Sequence, residues 1–211
     1  MRIEVRGATA GFHGIEVFTN FDATFADRAI TALVGPSGSG KSTLMATMAG
    51  FVSLSNGQIQ FISPDGTAQG PNPSLIAWVP QGSNALSSRT VLDNVMIGPL
   101  AEGATLSQAA ELARDCLAEV GISPLADRQV RVISGGERQR LGFARALASH
   151  KPIIFADEPS ASLDAANTHH LAELLTQLHG KTTVVVATHD PLLEAAAENT
   201  VHMRDDAADA A

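Results

Sequence analysis

Gly35-Pro36-Ser37-Gly38-Ser39-Gly40-Lys41-Ser42-Thr43 is the stretch around which the rest of this 211-residue chain is read. It fits the pattern Gly-x-x-x-x-Gly-Lys-Ser/Thr, with Gly35, Gly40, Lys41 and Ser42 at the fixed places. Glycines let successive backbone N–H groups turn inward around an anion with no Cβ in the way. The helix that starts there adds the positive end of its dipole. Lys41 then reaches the β- and γ-phosphates of a nucleotide, and Ser42 holds Mg²⁺. A glycine-rich turn is the competing reading, and the flanks argue against it. Ile30 to Val34 form a β-prone apolar run entering the loop, and Leu44 to Ala49 continue as a helix that Gly50 ends. Strand, glycine loop and helix are the context this motif requires, so the chain is expected to bind a nucleoside triphosphate.

Working outward, strand-like segments cover Arg2 to Val5, Ile153 to Ala156 and Thr183 to Ala187. Helical patterns lie between them, which predicts an α/β fold with a parallel sheet covered on both faces. Asn56-Gly57, the run Gln58 to Ile62 and Pro64-Asp65-Gly66 read as antiparallel hairpin material beside that sheet. Ala77-Trp78-Val79 leads into Pro80-Gln81-Gly82 as a core strand ending at a loop, with Trp78 in the core. Residues 82–133 carry helices and no convincing strand. There Thr105-x-x-Gln108 is a capping box, followed by Leu106, Ala110, Ala113, Leu117 and Val120 along one helical face, with Gly121 as the stop. The expected organisation is one α/β domain, its core in residues 1–81 and 134–211, with a helical subdomain inserted between them.

A net charge of −8 argues against a nucleic-acid partner, which needs a basic face. Nucleotide binding does not, because loop amides and one lysine suffice. No apolar run approaches the ~20 residues needed to cross a bilayer. Met1 to Val5 begin directly as a strand, so no signal peptide is expected. Cys116 is the only cysteine, which excludes an internal disulfide and fits a reducing cytoplasm. The acidic, alanine-rich tail from Asp205 to Ala211 is expected to fray.

The run Lys151 to Pro159 places an apolar strand before Asp157 and Glu158, at the carboxyl end where α/β sheets bind ligands. Asp157 is placed to organise the Mg²⁺ shell and Glu158 to polarise a water for attack on the γ-phosphate. Two acids after a strand also make a solvated turn; beside a phosphate loop the catalytic reading is the stronger. Ser134-Gly135-Gly136-Glu137-Arg138-Gln139 then resembles the signature motif of ATP-binding-cassette (ABC) ATPases. Ser134-x-x-Glu137 is at the same time a capping box, and Leu141, Ala144 and Ala148 make a buried face for the helix it opens. Both readings hold together, since a glycine-preceded helix N-terminus is an anion site. The pattern departs from the common Leu-Ser-Gly-Gly-Gln at Ile133 and Glu137.

The resemblance spans nearly the whole chain. It implies a RecA-like P-loop core with an antiparallel β subdomain and a helical insert. It implies that Phe12 stacks on adenine in place of the usual Tyr, although the position also suits a core phenylalanine. By the same resemblance Gln81 senses Mg²⁺ and the attacking water, and His189 in Ala187-Thr188-His189-Asp190 contacts the γ-phosphate. The ATP site is implied to be split between two copies. The loop from Gly35 through Pro36, Ser37, Gly38, Ser39, Gly40, Lys41 and Ser42 to Thr43 comes from one copy. Ser134, Gly135, Gly136 and Glu137 come from the other, with the loop Ser160 to Asp164 crossing between them. A homodimer and a separate integral membrane permease are the implied partners, with the chain held on the cytoplasmic face of the membrane through that permease. The residues after Gln81, Thr90 to Val95, match the region that receives a cytoplasmic helix of the permease, although Val91, Leu92, Val95 and Met96 also suit an internal core. Short cassettes of the macrolide-export, lipoprotein-release, haem-export and cell-division branch look most similar. Here Glu158-Pro-Ser-Ala-Ser-Leu-Asp164 departs from that branch's usual Glu-Pro-Thr-Gly-x-Leu-Asp. An exporter-type ATPase is therefore expected. The alternatives are a cell-division signalling cassette that transports nothing and a soluble ABC ATPase acting on DNA or ribosomes, which the acidic charge disfavours.

Overall fold

Apolar runs of four to six residues suit strands buried on both faces, and the chain uses them so. The computed structural model describes residues 1–12 and 14–203, so the expectation for Asp205 to Ala211 lies outside the described residues. The elements are β1 (Arg2–Phe12), β2 (Ile15–Phe25), β3 (Ile30–Val34), α1 (Lys41–Met48), β4 (Asn56–Ile62), β5 (Ala68–Gln69) and β6 (Ile76–Val79). There follow α2 (Val91–Ala101), α3 (Leu106–Glu119), α4 (Gly135–Ala148), β7 (Ile153–Asp157), α5 (Ala165–Gln177), β8 (Thr183–Thr188), α6 (Pro191–Ala195) and β9 (Asn199–His202). Strands β6-β7-β8-β3-β9 form a parallel sheet in that order, and β2-β1-β4-β5 an antiparallel one. The fold is the mixed α/β arrangement that the sequence indicates.

The period of two along β7 and β8 divides the interior into two cores. Ile153, Phe155, Val185 and Ala187 pack with Leu44, Met45 and Met48 of α1 and with Ile3, Phe25 and Phe61 of the antiparallel sheet. Ile154, Ala156, Val184 and Val186 face Val95, Leu117, Leu141 and Leu175 of the helices. Each fully buried large side chain contributes roughly 1.5–3 kcal/mol. The parallel sheet is thereby fixed between two apolar layers, and its carboxyl ends become a rigid platform.

Several elements differ from the sequence reading. β1 runs on past Val5 to Phe12 and pairs with β2, with register shifts at Val5/Ala8, Ala8/Ala10 and Ala10/Gly11 that bend the hairpin. Asn56-Gly57 makes no hairpin turn; Asn56 pairs with Thr9 at the start of β4. The turn is at Pro64-Asp65-Gly66, where the Gly66 N–H donates to Ser63 O at 2.9 Å, and it joins β4 to β5. Trp78 is half-buried at the edge of a core, its ring 5.8 Å from that of Phe155 and 6.2 Å from that of Phe51. On α3 the buried stripe is Ala109, Ala113, Cys116 and Leu117, whereas Leu106, the first helical residue, is 71 % exposed. The contact with α2 and α4 begins one turn later than the apolar pattern indicates.

Candidate functional site

The loop Gly35–Gly40 leaves the carboxyl end of β3 and turns directly into α1. The Ser39 N–H donates to Pro36 O (3.2 Å) and the Leu44 N–H to Gly40 O (2.8 Å), which closes the loop onto the helix. Gly40 caps α1 at φ 92°, and a Cβ there would stand 2.8 Å from Val17 Cγ1. Both the backbone conformation and the contact with β2 exclude a side chain. Lys41 is 6 % exposed; its Nζ donates to Gly35 O (2.8 Å) and Pro36 O (3.1 Å) and lies 3.2 Å from Glu158 Oε1.

β7 and β8 deliver the acids and the histidine to the same edge. Ser42 Oγ donates to Asp157 Oδ1 at 2.9 Å. Burial pushes the Asp157 carboxyl above the usual carboxylate range and Glu158 adds to this, against the lowering by the Ser42 hydrogen bond and Lys41. Glu158 has φ 44°, a left-handed conformation that costs a non-glycine residue free energy, and its N–H donates to Ala187 O at 2.9 Å. Its Oε2 lies 2.8 Å from His189 Nδ1, within ion-pair range but off the hydrogen-bond direction, so this buried oxygen has no hydrogen-bond partner.

A cleft of about 520 Å³ gathers Phe12, Val17, Ser37, Gly38, Gly40, Lys41, Ser42, Thr43, Gln81, Glu158, Ala161 and His189. Phe12, the last residue of β1, is 49 % exposed and lines the cleft. Gly35 and Pro36 stand behind as carbonyl acceptors for Lys41, Ser39 is buried beneath, and Asp157 joins through Ser42. Val17 was not read from the sequence, and Ala161 was read only as part of the crossing loop Ser160 to Asp164. Val17 belongs to the period-two apolar series Ile15, Val17, Phe21, Ala23, Phe25, a signal that could have placed β2 over the loop.

Ser134, Gly135, Gly136, Glu137 and Asp164 do not line this cleft. Ser134 caps α4: its Oγ accepts from the Glu137 N–H (3.3 Å) while Glu137 Oε2 accepts from the Ser134 N–H (2.6 Å). That backbone hydrogen bond holds the Glu137 carboxyl below its usual range. A Cβ on Gly136 would stand 2.1 Å from Asn167 Oδ1, so the N-terminal turns of α4 and α5 are in close approach. Asp164 caps α5, its Oδ1 accepting from the Asn167 N–H and Nδ2, both at 2.9 Å. Asp164 and the signature turn therefore pack together outside the cleft, while Ala161 of the same loop lines it. A second cavity of about 540 Å³ lies among Arg28, Cys116, His150 and Lys181 and shares no residue with the cleft. Burial pushes the Cys116 thiol up to about 11, which leaves it no nucleophile.

The donor set at Ser42, Asp157 and Gln81 is all oxygen, which suits a hard divalent cation held together with substrate phosphates. Among the described residues no three His, Cys, Asp or Glu side chains gather as a metal cage. Mg²⁺ in a nucleotide site needs none.

A phosphate loop leaving a parallel sheet, with an acid pair two strands away in the same edge, defines a P-loop nucleoside triphosphatase. The sequence profile described as "ABC transporter" matches residues 18–161. The lipoprotein-releasing system ATP-binding protein LolD of Bacteroides thetaiotaomicron is 35% identical over 96% of this chain and 97% of that protein. The thiamine import ATP-binding protein ThiQ of a Chelativorans species is 38% identical over 81% of this chain and 70% of its own length. Among solved structures, the ATP-binding cassette MJ0796, dimeric in a post-hydrolysis state with ADP and Pi, superposes with a TM-score of 0.78 at 27% identity. It covers 96% of this chain and 94% of its own. The chain belongs to the ABC transporter family, as an ATP-hydrolysing cassette. Among the described residues no helix is long and apolar enough to cross a membrane.

Proposed function

We propose that this chain is the ATPase subunit of an exporter-type ABC transporter and works as an ATP-closed homodimer beneath a separate membrane permease. The observation that carries the reading is the convergence of Lys41, Ser42, Asp157, Glu158 and His189 from three elements on one cleft. The loop amides from Ser37 to Thr43 cradle the phosphates, and Lys41 exchanges its loop carbonyls for the β- and γ-phosphate oxygens. Phe12 stacks on the adenine. Ser42, Asp157 and Gln81 would hold Mg²⁺, which supplies charge neutralisation on the β- and γ-phosphates when bound. Glu158 polarises the attacking water, and His189 contacts the γ-phosphate from the neighbouring strand end. The second copy contributes the α4 N-terminus, Ser134 to Glu137, and the loop to Asp164 lies at the junction.

The 35% identity with the lipoprotein-releasing ATPase over 96% of this chain supports the extractor branch, and the thiamine import ATPase, 38% identical over 81% of this chain, stands for the importer alternative. The permease would seat a cytoplasmic helix in the groove lined by Phe51, Trp78, Ile97, Gly98 and Arg145. Phe51 and Ile97 are 67 % and 39 % exposed there. In this reading the chain works on the cytoplasmic face of the membrane through that permease.

The test is co-purification of tagged Glu158→Gln protein with ATP from detergent-solubilised membranes of its own host. Recovery of one integral membrane protein with few spans and a large external domain is the expected result. Recovery of an importer permease would remove the exporter reading, and recovery of soluble factors alone would remove the transporter reading.

A further inference from the structure

A second, smaller chamber of about 180 Å³ also has Glu158 in its wall, together with Gln81, Gly135, Arg138, Gln139 and Ser162. It is enclosed by the loop after β6, the first turns of α4 and the loop between β7 and α5. Two buried polar atoms of opposite kind belong to its lining residues. Gln139 Nε2 is a donor, Glu158 Oε2 is an acceptor, and neither has a hydrogen-bond partner. Gln139 is 8 % exposed, so bulk solvent does not serve its amide. Buried donors and acceptors are rarely left unmatched, and a polar chamber of this volume holds several waters at about 30 Å³ each.

We propose that Gln139 is a positioning residue for ATP hydrolysis, its amide donating through water in this chamber to the Glu158 carboxylate. The inference rests on the reading of Glu158 as the group that polarises the attacking water. Glu158 Oε1 is held by the Lys41 ammonium at 3.2 Å. When the nucleotide's phosphates take that ammonium, Glu158 loses the contact at Oε1 and keeps only the His189 ring, 2.8 Å from Oε2. A neutral donor on the chamber side then keeps the carboxylate aimed without competing for phosphate. Gln139 is the fifth residue of α4, whose N-cap is Ser134. The water bridge thus ties the aim of Glu158 to the seating of the signature helix.

The experiment compares Gln139→Met with Gln139→Asn in the full-length protein. It measures kcat for ATP, the dissociation constant of a fluorescent ATP analogue, and thermal unfolding. Methionine keeps the volume and removes the donor; asparagine keeps the donor and loses a methylene that a water replaces. Loss of the bridge predicts that Gln139→Met lowers kcat about tenfold, leaves nucleotide affinity within about twofold, and that Gln139→Asn recovers most of the rate. A purely packing role predicts the reverse order, because the smaller side chain leaves the larger void. Met equal to or faster than Asn, or a parallel loss of nucleotide affinity, would overturn the proposal. Glu158→Gln is assayed alongside: a wild-type rate in that variant would sink the Glu158 reading itself, whatever the Gln139 series shows.

Discussion

At the scale of single residues, Asp157 sets stability against chemistry. Burial raises its carboxyl above the ordinary range, because the ionised form loses water that the one hydrogen bond from Ser42 replaces only in part. With the folded value above the unfolded one, the folded state binds more protons in the interval between them. Stability therefore falls as pH rises through that interval, and above it the cost stays in full. Asp157→Asn, a neutral isostere, is expected to raise the Tm of the nucleotide-free protein at pH 8. The gain should shrink as the pH falls toward the carboxyl's own titration range, where the wild type takes up the proton. The same variant should lose ATPase activity by at least about a hundredfold, as an electrostatic contact in the transition state is removed. Unfolding curves from pH 5 to 8 check the first half; superimposable curves for the two proteins would refute it. At this scale the geometry of the phosphate loop was largely legible in the sequence. Phosphate-loop geometry is local: Gly40 and Lys41 are fixed by backbone within a few residues of themselves. The contact of Val17 with Gly40 was not legible, since it joins residues that only the β1–β2 hairpin brings together.

At the scale of elements, the helices offer an internal comparison. Thr90, Thr105 and Ser134 each close a reciprocal capping box, with Asp93, Gln108 and Glu137 as partners. Removing a capping hydroxyl costs about 1 kcal/mol whatever the helix does next. Thr105→Ala and Ser134→Ala should therefore lower stability to chemical denaturation by similar amounts. Only Ser134→Ala should lower ATPase activity, because in the proposed homodimer its hydroxyl also faces nucleotide bound to the second copy. Equal activity in the two variants would make Ser134 a cap and nothing more. The capping boxes at Thr105 and Ser134 were readable because they are local patterns, whereas β2 and β9 were not read. β2 follows a polar, glycine-containing hairpin and its register is broken by bulges near Asn20, at φ 43°. β9 is four residues, Asn199-Thr200-Val201-His202, held as a parallel edge strand by β3 and carrying almost no apolar signal of its own. On α3 the apolar period pointed to Leu106, yet tertiary contact chose Ala109 and Cys116.

At the scale of the whole molecule, the separation of the α4 N-terminus from the nucleotide cleft within one chain bears on how catalysis is assembled. Ser134 and Glu137 satisfy each other's backbone and stand outside the cleft that holds Lys41 and Glu158. In the proposed homodimer each chain supplies half of each site, and a two-fold pair would juxtapose complementary halves at both ends of one isologous interface. Such a site has a signature in mixing experiments. Lys41→Ala loses its phosphate loop and retains its signature helix; Ser134→Arg does the opposite. Each homodimer then carries two defective sites. A mixed dimer carries one doubly defective site and one intact site, built from the Ser134→Arg chain's loop and the Lys41→Ala chain's helix. Random pairing makes half of the dimers mixed with one intact site each, so activity should return to at most about a quarter of the wild-type level. Size-exclusion chromatography with Glu158→Gln and ATP would show the dimer directly, since hydrolysis could not then release it. A mixture as inactive as either parent, with mixed dimers shown to form, would mean that the two halves do not meet across the interface. Ser134 would then be left to its role as the cap of α4.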